Sequence, residues 1–509
     1  MTPLTNTCAS HHRSKVIVIG AGIGGLTSAA LLAKRGYQVK VFEQSMVPGG
    51  CASTFRRRGF TFDVGATQVA GLEPGGIHHQ IFSELDLELP TAEHCDPACA
   101  VFLPGEVTPV NVWRDPNRWQ TERQRQFPGS EPFWQKLNDL FSHSWQFQTR
   151  QPVLPPRNVW DSWQLTRALR PDTLLTVPYT FSTVGQLLKG YGLYKNQRLK
   201  TFLDLQLKLY SQVGADETAL LYAATALGVS QAPQGLFHLQ GSMQVLSNAL
   251  VKAIKRFDGQ VFLGHCVEQI QLENNCPRFV RIRQQKTDET WLETADHVVA
   301  NVTVQNLTQL LGQQTPQGYQ RRVDKLMPSS GAFVVYLGVE QAAIPEYCPP
   351  HLQFLYDYDG PIGENNSLFV SVSRPEDGRA PNGKATIVAS SFTDVQAWQQ
   401  CNNYEALKAE YEREAIAKLN QFFNLDPRHI IHAESATPRT FQHYTARHQG
   451  MVGGIGQRLS TFGPFGFATR TPIPKLWLVG DCVHPGEGTA GVSYAALTAV
   501  RQIEAMENR

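Results

Sequence analysis

The sequence predicts an α/β fold in which a Rossmann-type dinucleotide-binding domain interlocks with an α+β substrate domain. Three observations carry that expectation. A β-branched run near the N-terminus passes through a glycine turn into a helix-forming stretch and a second strand that ends in an acid. A further glycine-rich strand, loop and helix stand near the C-terminus, and strand-like apolar runs recur between the two. At 509 residues and 42% hydrophobic content, the chain is too long for one ordinary core.

The opening unit is "VIVIGAGIGGLTSAALLAKRGYQVKVFEQ", residues 16 to 44. Val16 to Ile19 reads as a strand, Leu26 to Lys34 as helix, and Tyr37 to Phe42 as a second strand ending at Glu43. This is the order a dinucleotide-binding βαβ unit requires. Gly20 permits the tight turn, Gly22 lets backbone approach a pyrophosphate, and Gly25 lets helix and strand pack closely. The helix start at Ile23 and Gly24 turns unpaired N–H groups toward the phosphates. Glu43 stands where a carboxylate accepts from an adenosine ribose and repels a 2′-phosphate, which disfavours NADP.

Downstream, "QSMVPGGCASTFRRRGFTFDVGATQV" offers another close approach at Gly49-Gly50, then an alternating run from Gly59 to Gly65 that reads as a buried strand. In "PIPKLWLVGDCVHPGEGTAGVSYAALTAVRQIEAM", Leu476 to Val479 is a strand, Gly480-Asp481 its polar end, Pro485 to Gly491 a loop, and Val492 to Met506 a helix. Two distant glycine elements converging on one ligand suit a long cofactor, an extended FAD, better than a compact one.

Formal charge is +2 and the one basic run is Arg56-Arg57-Arg58, so the electrostatic footprint of a nucleic-acid binder is missing. Nine scattered cysteines do not form a disulfide framework. Cys95 and Cys99 lack the second pair or histidines that a metal site needs, so no metal is expected. The first 14 residues have no charged start followed by an apolar run, and no stretch of about 18 uncharged apolar residues occurs. The expectation is a cytoplasmic chain with room for peripheral membrane association.

The motifs "GAGIGGL", "FEQSMVPGGCAST", "GFTFDVGAT" and "LVGDCVHPGEGTAGV", with "LQGSMQVLSNALVKAI" and "MVGGIGQ" between them, resemble the phytoene-desaturase-like and carotenoid-isomerase-like flavoproteins, relatives of the amine oxidases. The resemblance runs from Lys15 to about Ile503. It implies that Gly20, Gly22 and Gly25 flank the pyrophosphate and Glu43 holds the adenosine ribose. It also implies Gly50 near the flavin, Val267 against the adenine, Gly480-Asp481 near the ribityl and phosphate portion, and Gly491-Val492 at the flavin N1 and C2 carbonyl edge. Many relatives carry arginine after the paired glycines, where this sequence has Cys51. The C-terminal motif is most similar to a cyanobacterial-type group that includes a carotenoid 3′,4′-desaturase, with Tyr494 where many relatives continue with serine and glycine.

The expected organisation is a FAD-binding domain from residues 15–65, 235–304 and 446–509, and a substrate domain from 66–234 and 305–445. Leu246, Leu250 and Ile254 repeat at spacing four and predict a helix against the nucleotide domain. "GQVFLGHCVEQIQL" reads as a strand in which His265 is structural, and residues 291 to 304 as a strand pair containing Asn301. "SSGAFVVYLGVE" and "NNSLFVSVSR" read as strands of a sheet roofing the flavin. Residues 154 to 230 form a helical lobe that walls a long apolar cavity or is plain core. Leu187-Leu188 and Tyr191 to Tyr194, flanked by Lys189 and Lys195, form the expected patch against lipid.

No G-x-S-x-G or H-E-x-x-H motif occurs, so serine hydrolysis and zinc proteolysis have no handle. The flavin must carry the hard step. For a C40 polyene this means hydride transfer to N5 and loss of a proton from the adjacent carbon, with a quinone or oxygen as final acceptor. Few ionisable catalysts are needed, and His484 and Glu487 in "HPGEG" are the candidates; His484 equally suits a role in pinning the loop. Cis-trans isomerisation with reduced FAD, and amine oxidation or saturation, remain alternatives. Oligomeric state is left open.

Overall fold

The computed structural model describes residues 14–507, so the reading of the leader falls outside the described residues except for Ser14. Its nucleotide-binding layer is a parallel sheet of β1 (Lys15–Ile19), β2 (Gln38–Glu43), β3 (Gln260–Leu263), β4 (His297–Ala300) and β5 (Leu476–Leu478), ordered β3-β2-β1-β4-β5. Helix α1 (Ile23–Lys34) is buried from Ile23 to Ala33. It carries Gly, Ala, Ser and Leu instead of one apolar stripe because α2 (Gln244–Arg256) and α3 (Thr489–Glu507) both pack on it. The spacing of Leu246, Leu250 and Ile254 does produce the buried face of α2.

Two strand readings differ from the structure. The run expected as one strand breaks at Gly264, whose φ of +72° turns the chain out of the parallel sheet. His265–Glu273 then joins an antiparallel sheet with Cys276–Gln284 and Thr290–Thr294. The expected pair in 291 to 304 is likewise divided: Thr290–Thr294 stays antiparallel, while β4 lies between β1 and β5.

The second layer is a seven-stranded sheet ordered Ile430–Ala436, Ser330–Glu340, Lys384–Asp394, Ser367–Val372, His351–Leu355, Cys99–Phe102, Val110–Val112. All its pairings are antiparallel except that of His351–Leu355 with Cys99–Phe102. Both runs expected in this sheet are in it. Helices Glu131–Thr149, Gln197–Ser211 and Leu220–Gly228 build a lobe around Trp119, Phe133, Trp134 and Phe202. The segment after residue 66 behaves differently from its expected domain. Helix Ile77–Glu84 packs Ile81 and Phe82 into the core shared by α1 and α3.

A buried charge cluster clasps the layers together. Asp63 accepts from Met243 N–H at 2.8 Å and from Arg379 Nη2 at 3.0 Å, and Arg379 Nη1 also reaches Asp377 Oδ2 at 3.1 Å. His238 Nε2 lies 2.9 Å from the same Asp377 oxygen. Three segments distant in sequence, around Asp63, His238–Met243 and Asp377–Arg379, are thereby fixed beside the α2 N-terminus.

Candidate cofactor and substrate site

A cavity of about 860 Å³ runs between the layers. Its first wall is built where β1 turns into α1. Gly20 takes φ +90° and its N–H donates to Phe42 O at 2.8 Å, which brings the turn over the end of β2. A Cβ on Gly22 would sit 2.7 Å from Asn301 Nδ2, and one on Gly25 would overlap Gly20 O. Gly22 and Gly24 line the cavity with Ile23, whereas Gly25 stands behind it, as close packing of helix on strand requires.

Glu43 is buried at the end of β2. Its Oε2 accepts from Ala21 N–H at 2.7 Å and its Oε1 from Ser45 N–H at 2.8 Å. Burial raises its pKa, and the bonds from backbone N–H groups oppose that rise. The carboxylate thus braces the glycine turn as well as facing the cavity. Gly49 and Gly50, at φ +122° and +58°, hold a second glycine turn against Gly22, with Gly49 N–H donating to Ala21 O at 2.7 Å. Cys51 follows, its thiol pKa pushed up by burial and drawn down by the neighbouring Arg447 charge.

Val267 lines the cavity on the first antiparallel strand, beside a bulge. His265 also lines the cavity; its Nδ1 lies 2.7 Å from Leu263 O, and its ring meets Phe42, Phe262 and Trp291. At the other end, Gly480 and Asp481 leave β5, and Gly491 and Val492 lie in the first turn of α3. The starts of α1 and α3 meet: a Cβ on Gly24 would lie 3.3 Å from Val492 O. Two helix N-termini therefore present N–H groups to one space, a setting that favours anions and polar ligand edges.

Glu487 is enclosed by protein but open to the cavity. Its Oε2 accepts from Gln212 Nε2 at 2.9 Å and Gly454 N–H at 3.3 Å, while Oε1 has no partner among the described residues. Burial pushes its pKa up to about 8, so the carboxyl is largely protonated at neutral pH. His484 does not line the cavity. Its Nε2 lies 3.4 Å from Gln148 Oε1 and 3.1 Å from Nε2 of the same amide, and burial lowers its pKa to about 4.

Three residues escaped the sequence reading as site groups. Asn301 directly follows β4 and backs the whole glycine turn; a polar residue just past an apolar strand is the signal that marks it. Gln212, at φ +66° after a helix, and Arg447, in an irregular stretch, carry no local signal.

The chain matches the flavin-containing amine oxidoreductase family over residues 23–503. It belongs to that family. The flavoprotein is 26% identical to the chloroplastic prolycopene isomerase of Daucus carota over 96% of this chain and 80% of that one. It is 24% identical to the zeta-carotene-forming phytoene desaturase of Myxococcus xanthus over 96% and 93%. Cyclohexylamine oxidase from Brevibacterium oxydans IH-35A shares the fold, with a TM-score of 0.62 at 17% identity over 97% of this flavoprotein and all of that chain. The flavoprotein is an FAD-dependent oxidoreductase, and its glycine cradle, paired helix starts and Glu43 fit such a cofactor.

The expected lipid patch is only partly exposed: Leu188 is buried and Tyr191 is exposed. Val184 and Leu188 share one face of the helix Val184–Gly190 and are fully buried in the lobe core, with Leu187 packed at its edge. Tyr191 of the expected patch is exposed, and so are Leu174, Leu175, Val177 and Phe181, with Phe181 meeting exposed Phe465 at a ring-centroid distance of 5.9 Å. Among the described residues, no helix is long and apolar enough to cross a membrane.

Proposed function

We propose that this flavoprotein is a desaturase that introduces a double bond into a C40 polyene, at the 3′,4′ position by the resemblance of its C-terminal motif. The observation that carries the reading is the continuity of the cavity. Its glycine-lined wall runs into a wall of Trp145, Leu209, Tyr210, Tyr222, Phe369 and Phe462 without a break. A long apolar substrate gains by burial there at about 25 cal/mol per Å² of apolar surface. The names of the carrot and Myxococcus relatives, both carotenoid enzymes, favour the same substrate class.

In this reading Gly20, Gly22, Ile23, Gly24 and Gly49 flank the cofactor's diphosphate, with Gly25 supporting the turn from behind, and Gly50 and Cys51 stand toward the flavin. Glu43 and Val267 hold the adenosine, and Gly480, Asp481, Gly491 and Val492 hold the ribityl and ring portion. Bound FAD supplies two-electron oxidation, with a quinone or oxygen taking the electrons onward. The aromatic wall orients the polyene and excludes water. Glu487 takes the proton released from carbon, its carboxylate form held in place by Gln212 Nε2 and Gly454 N–H. His484 anchors the loop through Gln148.

A second reading, cis-trans isomerisation, is favoured by one observation: a carboxyl largely protonated at neutral pH can lend a proton and retake it. Incubation of the FAD-loaded enzyme with candidate carotenoids, followed by mass measurement, separates the two. Desaturation removes two hydrogens; an unchanged mass with altered geometry would overturn it.

We also infer that the protein meets its water-insoluble substrate at a lipid surface. Leu174, Leu175, Val177, Phe181 and Phe465 are exposed, with exposed Arg157, Arg167 and Arg170 in the adjoining chain. Arg150 ties this segment, through Asp172 Oδ1 at 3.1 Å and Thr173 Oγ1 at 3.0 Å, to the helix whose Gln148 lines the cavity.

A further inference from the structure

The cavity must accept a cofactor that brings two negative charges on its diphosphate, yet carboxyl groups outnumber cations on its walls. Glu43, Glu268, Asp481 and Glu487 all line it, with Glu268 already paired to Arg281 and Arg283 and Glu487 largely protonated, and among the described residues Arg447 is the one lysine or arginine that does. Two helix starts supply partial positive charge only. Burying a diphosphate beside carboxylates without a full counter-charge is costly, because charge in a low-dielectric setting must be paired.

Arg447 is built to provide that charge. Nε donates to Met451 O at 2.8 Å, Nη2 donates to Gly453 O, and Nη2 lies 2.8 Å from Asp481 Oδ2. The hydrogen bonds made within the protein come from Nε and Nη2, which leaves Nη1 for a ligand. The side chain keeps 17% exposure, and it lines the cavity. Its charge is felt by Cys51, the residue after the Gly49-Gly50 turn that lies against Gly22. The guanidinium therefore stands between the glycine cradle and the polar end of β5.

We propose that Arg447 is the cation that receives the cofactor's diphosphate, through the planar fork of donors that suits phosphate oxygens. The competing role is that of a brace which only positions Asp481. The assignment does not depend on which bond of the substrate is oxidised.

Protein stripped of FAD separates the two roles when titrated calorimetrically with FAD, ADP and riboflavin. ADP carries the diphosphate without the flavin, and riboflavin carries the flavin and ribityl chain without phosphate. Arg447→Gln should weaken FAD and ADP at least about tenfold, the scale of one charge-assisted hydrogen bond, and leave riboflavin within about twofold. Arg447→Lys should lose less than the glutamine variant because it keeps the charge but not the fork. Asp481→Asn should show the reverse pattern, with riboflavin more affected than ADP. The proposal is overturned if Arg447→Gln leaves ADP affinity unchanged, or weakens riboflavin as much as ADP. Thermal unfolding of each stripped variant checks folding. Should the glutamine variant not fold, the lysine variant decides alone: ADP binding equal to wild type at low and high salt overturns the assignment.

Discussion

Gln212 Nε2 donates to Glu487 Oε2 over 2.9 Å, and the two side chains close around Gly453, where a Cβ would overlap both. The three residues come from the end of a lobe helix, the loop before α3 and the stretch between them. Gly453 also has φ +69°, so any side chain there is strained twice over. Gly453→Ala should lower stability by about 1–3 kcal/mol and disrupt the Glu487 contacts. Thermal unfolding and turnover, measured together, check this; wild-type values for both would refute it.

The raised Glu487 pKa gives opposite pH profiles for the two proposed reactions. A group that accepts a proton in desaturation must be a carboxylate, so kcat/KM should rise through about pH 8. A proton donor in isomerisation would make it fall through the same pH. Glu487→Gln should flatten the limb in either case.

Stability carries the same signature. The folded carboxyl titrates near 8 and the ordinary one at 4.5, so the folded state holds the extra proton between them. Stability should therefore fall as pH rises across that window and level off above it. Glu487→Gln should remove this component of the slope, as chemical denaturation at pH 5, 7 and 9 would reveal.

Arg379 neutralises two buried carboxylates, Asp63 and Asp377. Arg379→Met leaves both without their cation and should cost about 3–5 kcal/mol. Equal stability of the variant in urea would count against the clasp.

Glu43→Ala removes the acceptor for Ala21 N–H as well as the expected ribose contact. FAD affinity should drop by about 1–3 kcal/mol, with unchanged affinity in a folded variant arguing against the role.

Wild-type protein should float with phosphatidylglycerol-containing liposomes, less so at high salt. Leu174→Asp with Leu175→Asp should reduce flotation without unfolding, since both side chains are exposed. The pair Leu187→Asp and Leu188→Asp is a poor probe, because Leu188 is core and an aspartate there would bury an unpaired charge.

Sequence alone determined the parts of the molecule written in local pattern. Gly20, Gly22 and Gly25 must be glycine because a turn, a close approach and a helix packed on a strand leave no space for a Cβ, and such constraints repeat at fixed spacing. The apolar repeat of α2 is legible because burial of one face imposes a period, and Ser330–Glu340 is legible as a continuous apolar run because both its faces are buried. Tertiary structure decided the rest. Leu188 and Leu174 are both leucines in short helices, and only the packing of the lobe buries one and exposes the other. Gln212, Arg447 and Glu487 have no sequence relation at all. Their roles follow from a chain path that carries separate segments into one low-dielectric cavity, where a carboxyl that would ionise in water keeps its proton and an arginine becomes the one full positive charge lining it among the described residues.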